Sequence, residues 1–446
     1  MIGGLMKSTS TLALFAAAGL FAGGVMLAPA VARAADLGGD CCADLESRVA
    51  DLEATTARKG NKKVSLTISG RINYNIVWWN ENSTGPSSTP FDKTRGFNIG
   101  NAGRNESEFV LKGDSKISSD LTAGFSMETY ADPTGNNGVK PPDLNQISNQ
   151  GPPALQVQTT YVFLKSKSAG ELRLGNQYGA IHDGFYQDLG TDVIGRYAQT
   201  RVIAQFKLRD SAGNLTDANY QSALKPIDDS RYDQLQYISP AFGGFTVKAD
   251  AGGSNVAAVA LLYDNKFGTV SVKGGFAYEW TSESDGSDQS KGIANVQVNN
   301  AETVYLSTDA SSGLRILSSS ASISESGSGL YLSGVYAQAY SAIAGRQDAN
   351  NWMVKGGWQK NVTGIGSTDI YGSYFRENNL WANDTTGHIY AVGIDQAVDA
   401  VASDLYLQYQ HDSYDTDGVI KEAAAPKLLI NSQSIDAVIG GMIIRF

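Results

Sequence analysis

At 446 residues the chain has room for two or three ordinary domains, or for one large β structure. Acids outnumber bases by 45 to 35, a balance that argues against nucleic acid, whose phosphates seek a basic surface. Two cysteines and three scattered histidines give no metal-ligand spacing, so no metal and no cofactor is expected.

In chain order, the first feature is Lys7, then an apolar run from Leu12 to Leu27, then the small-x-small trio Ala32-Arg33-Ala34. This is the layout of a secretory signal, with cleavage predicted after Ala34. Without 1–34 the chain keeps 33 basic and 45 acidic residues, net −12, because only Lys7 and Arg33 are removed. No later apolar run approaches the roughly 18 residues that a spanning helix needs.

Residues 35–62 are expected to form a short periplasmic helix and a basic linker. Cys42, Leu45, Val49, Leu52 and Thr56 follow the 3-4-3-4 spacing of a coiled-coil seam. So short a helix is marginal alone. One reading is a solvated amphipathic helix; another is a small parallel bundle of copies, cross-linked at Cys41 and Cys42 in an oxidising compartment. A vicinal disulfide or free thiols are the third. Gly38-Gly39-Asp40 lacks the small apolar pattern of a lipoprotein signal, so lipidation is not expected.

The stretch 63–79, KVSLTISGRINYNIVWW, opens the rest. Its even positions are mainly apolar, whereas Ser65, Thr67, Ser69, Arg71, Asn73 and Asn75 form a polar row, the period of a strand. Alternating runs of this kind recur to the end of the chain. They begin near Glu108, Leu121, Thr159, Glu171, Arg231, Phe245, Val256 and Thr269, then near Leu330, Trp352, Asp369, His388, Asp404 and Ser434. Links after odd-numbered runs are long, as in 80–100, 131–156 and 412–433. Links after even-numbered runs are tight, as in 113–119 and 167–170. That parity requires one more strand, at 314–323, the weakest of the set. The total is then an even sixteen, as antiparallel closure demands.

A soluble sandwich also alternates, but without strict long-short parity. Here the polar row carries Arg71, Arg104, Glu128, Arg173, Lys273 and Lys355, whose burial unpaired would cost several kcal/mol each. These charges are tolerable if their row meets water and the apolar row meets lipid. The expected fold is therefore all-β: a 16-stranded antiparallel transmembrane β-barrel over 63–446. Trp78, Trp280 and Trp352 fall at strand ends on the outer rim. Val438, Gly440, Met442, Ile444 and Phe446 alternate to a terminal aromatic, which resembles the signal read by the barrel-assembly machinery.

Three stretches, FVLKGD at 109–114, LRLGNQYG at 172–179 and SPAFGGF at 239–245, resemble those of Gram-negative porins of the alphaproteobacterial general type. The CCADLE opening at 41–46 does too. The likeness covers 41–250 and the last strand and is thin over 281–330. It implies a homotrimer in the outer-membrane lipid, each protomer a water-filled pore for small hydrophilic solutes, narrowed by an inward-folded third long loop. That loop follows Gln177 and runs to about 230; its first part holds His182, Asp183, Asp188 and Asp192. By the resemblance these acids face basic residues on the wall, for which Arg71, Arg104, Arg173 and Arg231 are the candidates. Glu108 and Glu128 are acidic wall candidates. The strand phase at Arg231 is ambiguous, and Arg196 and Arg201 lie in the loop as well.

Function would be passive. Opposed charges about 8 Å apart interact by about 2 kcal/mol at an effective dielectric of 20, enough to tune passage and too little to trap ions. An enzyme is not expected, because His182, His388 and His411 have no Ser or Asp partner at a motif spacing. A substrate-selective channel for a sugar or an anion is the alternative.

Overall fold

A strand with one lipid-facing and one inward row can satisfy its backbone only by pairing on both edges, so a set of such strands must close. The computed structural model, which describes residues 64–82, 95–101, 107–132, 154–190, 206–209, 215–220, 224, 227, 231–253, 256–281, 295–299, 302–305, 315–340, 347–380, 383–415 and 433–446, has that closure. In chain order the wall is β1 (Ser65–Asn82), β2 in two segments (Arg95–Asn101 and Glu108–Lys116), β3 (Leu121–Asp132) and β4 (Ala154–Ser166). Next come β5 (Gly170–Tyr178), helix α1 (Ala180–Phe185), β6 (Arg231–Ile238), β7 (Phe245–Gly252), β8 (Val256–Phe267) and β9 (Val270–Thr281). The rest are β10 (Arg315–Glu325), β11 (Leu330–Tyr340), β12 (Ala349–Lys360), β13 (Thr368–Asn378), β14 (Thr386–Val398), β15 (Ser403–Asp415) and β16 (Gln433–Arg445). Each pairs antiparallel with the next, and β16 returns to β1 from Arg71 opposite Arg445 to Asn82 opposite Ser434. The predicted helix at 35–62, with Cys41, Cys42, Leu45, Val49 and Leu52, lies outside the described residues.

All sixteen expected strands form, including the weak one, now β10. Two details differ from the sequence reading. Strand β2 begins at Arg95, inside the loop expected over 80–100, and pairs with the upper half of β1 before resuming with Glu108 opposite Arg71. The turn expected from Gly113 falls instead at 117–120, where the Ser118 hydroxyl accepts from the amides of Asp120 and Leu121.

Burial sorts the two rows of β1. Ile72, Tyr74, Ile76 and Trp78 are exposed on the outside, whereas Asn73, Asn75, Val77 and Trp79 are buried inside. Inward tyrosines brace the far wall: Tyr331, Tyr371 and Tyr406 each lie across the glycine opposite them on the next strand, Gly357, Gly393 and Gly441. An aromatic ring there covers backbone that would otherwise be bare. Their hydroxyls then donate along the inner wall, to Asp369, Gln408 and Asn73 respectively.

Candidate functional site

The chain leaves β5 at Gly179 and turns into the lumen as α1. Ile181 and Phe185, one turn apart, bury one face, while Ala180 and Gly184 keep the contact side slim. The wall beneath is equally small: Ala258 and Ala260 on β8 and Gly275 and Ala277 on β9, the alanines almost fully buried. Six residues cannot hold a helix by themselves, so its ends are tied to the wall. The Ala180 amide donates to Asp250 at 2.6 Å, and the Tyr232 hydroxyl donates to the same carboxylate. Further along, Ser318 and Ser320 donate to the carbonyls of Ile181 and Gly184 at 2.9 and 2.7 Å, the second a group that the helix end leaves without an intrahelical partner.

Beyond α1 the segment 186–190 runs across β10–β12. The amides of Gln187 and Leu189 donate to Ser320 and Ser322, so inward serines of β10 act as a ladder under the loop. Asp188 ends the ladder. It accepts from the Ser333 hydroxyl at 2.5 Å, the Gly190 amide at 3.0 Å and the Lys355 ammonium at 2.9 Å. Both charged side chains are buried, Lys355 at 0% and Asp188 at 1% exposure. The ammonium also lies 5.5 Å from the ring centres of Tyr331 and Tyr371, which stabilise a cation stripped of water. Nearer the start, Asp183 pairs with Lys248 of β7, and His182 stacks between Tyr178 and Tyr186 at 4.1 and 4.4 Å.

The two loop acids thus engage lysines of β7 and β12, and the arginines named from the sequence have other partners on the wall. Arg71 pairs with Glu108 directly opposite on β2, at 3.0 Å. Arg173 pairs with Glu171 at 2.6 Å and covers the Tyr161 ring, with Lys165 also on Glu171 at 3.2 Å. Glu128 accepts from Thr159. Arg231 departs from its expected place. It shares a register row with Tyr178, in phase with the exposed Leu174 and with Leu235, while Tyr232, Gln234 and Gln236 turn inward. Its guanidinium covers Tyr178 and donates to Gln158, so Arg231 is not in the lumen-facing row. Arg104 and Asp192 lie outside the described residues. Lys248 was missed in the sequence, although Thr246, Lys248 and Asp250 alternate as an inward row should.

The lumen is asymmetric. On the lower β1 to β5 side the inward Ser65, Thr67, Ser69, Lys112 and Lys165 are exposed. From β10 to β16 nearly the whole inward row is buried, charged and polar members included, such as Asn351, Gln410 and Asp412. Part of this burial is apolar. Tyr220, Leu224 and Ile227 from the same long loop are at most 1% exposed, and Phe206 meets Trp79 edge-on at 5.1 Å. They belong to one cluster with Val77, Ile389, Ile435, Ala437 and Ile439 of the wall. The inward face is therefore not wetted throughout, as the sequence reading had it.

Burial pushes the Asp183 and Asp188 carboxyls up, but Lys248 and His182 around the first, and Lys355 and Ser333 around the second, pull further. Both end below the ordinary carboxylate range. A carboxyl lowered in the folded state stabilises docking fully above its free pKa, about 3.9, and ceases to as pH falls through the lowered value. The two ion pairs are therefore expected to hold at pH 5 and to open only below about pH 4, read as larger and noisier single-channel currents. Opening of the Lys355–Asp188 end at pH 5, in a chain whose Asp188 is otherwise intact, would contradict it.

Comparison with known proteins decides the family. A family model described as Gram-negative porin matches residues 13–417. The chain belongs to the Gram-negative porins. It forms an outer-membrane channel for passive diffusion. No curated protein matches the sequence. Among solved structures, the anion-selective porin from Comamonas acidovorans aligns at 16% identity with TM-score 0.53, covering 86% of this chain and 100% of that one. The outer-membrane-expressed OmpT of Vibrio cholerae aligns at 13% identity and TM-score 0.51, covering 87% and 99%. At these identities the likeness is one of fold. Among the described residues no cluster of His, Cys, Asp or Glu is arranged to hold a metal, and no helix is long and apolar enough to cross a membrane.

Proposed function

We propose that α1 and the segment 186–190 constrict the pore, pressing its aqueous path toward the wall formed by lower β1 through β5. The observation that carries this reading is the contrast in exposure between Lys112 or Lys165 on one side and Ser320, Ser333 and Lys355 on the other. Solutes then pass Arg71 with Glu108, and Arg173 with Glu171, before meeting Lys248 and Asp183 at the loop. Paired charges tilt a dipolar solute without holding it. The chain acts as a channel and not as an enzyme.

Assembly belongs to the same proposal. One structural neighbour is a trimer form of the Vibrio cholerae OmpT, and three copies of this barrel side by side in outer-membrane lipid fit the seam of 42–56. Phe446 exchanges backbone hydrogen bonds with Gly70 while its ring stays 62% exposed, available to the barrel-assembly machinery.

The test uses single cysteines in a chain whose Cys41 and Cys42 are serine. A charged, water-soluble thiol reagent is expected to modify Lys112→Cys and Lys165→Cys within seconds and to lower conductance. Ser320→Cys should stay unmodified. Equal reactivity on both sides would remove the constriction reading and leave only the channel.

A further inference from the structure

On the outward face of the barrel, Gly274 of β9 stands opposite Ala321 of β10, and Ala321 opposite Gly334 of β11. A side chain at Gly274 would find only the Ser320 carbonyl, at 3.6 Å, and one at Gly334 only the Met353 carbonyl, at 3.7 Å. Neither glycine has a positive φ. The inward Gly357, Gly393 and Gly441 are covered by tyrosine rings and Gly275 by the loop, so their size is set by packing. Nothing in the fold sets the size of Gly274 and Gly334, and a leucine at either position would gain contact with hydrocarbon.

What the small row does is hollow the wall. The depression has a volume of about 650 Å³, with Val272, Ile323, Leu332 and Val354 around it and Tyr336 and Trp352 at the long-loop end. Leu332 is 54% exposed on the lipid side, so the hollow opens outward. Arg376 stands beside Trp352 in register, its Nε on Asn378 at 2.9 Å. Arg315 lies in the same outward row as Ser319, four residues or about 13 Å further up β10, with its guanidinium over Tyr340. Among the described residues neither guanidinium has a carboxylate partner.

We propose that this groove seats an acyl chain of a membrane lipid, and that Arg376, beside Trp352, holds its anionic, phosphorylated headgroup, with Arg315 adding positive potential higher on β10. An apolar hollow in the lipid-facing wall takes hydrocarbon by default. The Arg376 guanidinium at the aromatic rim supplies the specificity, since a planar fork binds phosphate oxygens in pairs.

Native mass spectrometry of the full chain in mild detergent tests it, with phosphatidylglycerol and phosphatidylcholine of identical chains added in turn. The wild type should retain one phosphatidylglycerol per protomer, about tenfold more tightly than phosphatidylcholine, some 1.4 kcal/mol. Ala321→Leu with Gly334→Leu should lose both lipids. Arg315→Gln with Arg376→Gln should keep weak binding and lose the preference, a readout that survives if the filled variant fails to assemble. Conductance should not change in either variant, since none of these residues faces the lumen. Equal retention by wild type and filled variant, or an undiminished preference in the arginine variant, would overturn the proposal. So would dissociation of an oligomer on filling, which would assign the groove to a second copy.

Discussion

Replacing Lys355 by methionine is expected to cost about 3–5 kcal/mol of local stability and to raise single-channel conductance severalfold. The change strands the Asp188 carboxylate in a site with 1% exposure, where only Ser333 and the Gly190 amide remain. Those two neutral donors cannot replace an ion pair, so Asp188 finds water by leaving the wall and takes 186–190 with it. Asp188→Asn should be milder, because the Lys355 ammonium keeps two tyrosine faces, worth up to about 2 kcal/mol when desolvated. The double change Lys355→Met with Asp188→Asn should recover much of the loss, since no charge is left unpaired. Planar-bilayer conductance histograms and urea unfolding of the extracted protein check it. Wild-type conductance in Lys355→Met would mean that the pair does not hold the loop.

Strand positions were legible because lipid imposes one rule on every outward row. Where both faces of a strand carry small side chains the rule fades, and β10 is the case. Its inward Ser318, Ser320 and Ser322 dock the loop, and its outward Ser319 and Ala321 line the groove. Both faces are small, so RILSSSASISE scarcely alternates. Strand β16 hides the opposite fact: Ile435, Ala437, Ile439 and Ile443 turn inward although the outward row is apolar as well. Two apolar faces reveal no dry lumen until the loop that covers one of them is in place. For Arg231 the difficulty was phase, because an arginine near an aromatic strand end can belong to the lipid row. The loop's lysine partners were hidden by distance along the chain. Asp183 to Lys248 spans 65 residues and Asp188 to Lys355 spans 167, and no spacing rule joins them.

The adjacent glycines of β9 separate the two faces in one experiment. Gly275 looks into the lumen, where an added Cβ would sit 2.9 Å from the Gly184 carbonyl and 3.0 Å from that of Asp183. Gly274 looks outward, in register with Ala321 at the edge of the groove. Gly275→Leu should therefore push α1 off its seat. Overpacking costs about 1–3 kcal/mol, and each serine bond holding the helix returns only about 0.5–1.5 kcal/mol. Lifting only the Gly184 end gives up the two serine bonds, about 1–3 kcal/mol together, while Asp250 and Lys248 keep the start of the helix in place, so the helix tilts off its seat. Conductance should rise while the Lys355–Asp188 pair still anchors the far end, giving a smaller increase than Lys355→Met. Gly184→Leu should act alike from the loop side, against Ala277 and Ser318. Gly274→Leu, one residue away on the same strand, should leave conductance at the wild-type value and diminish lipid retention instead. If Gly274→Leu altered conductance and Gly275→Leu did not, the inward and outward assignment of β9 would be reversed. The constriction and the lipid groove would then fall together.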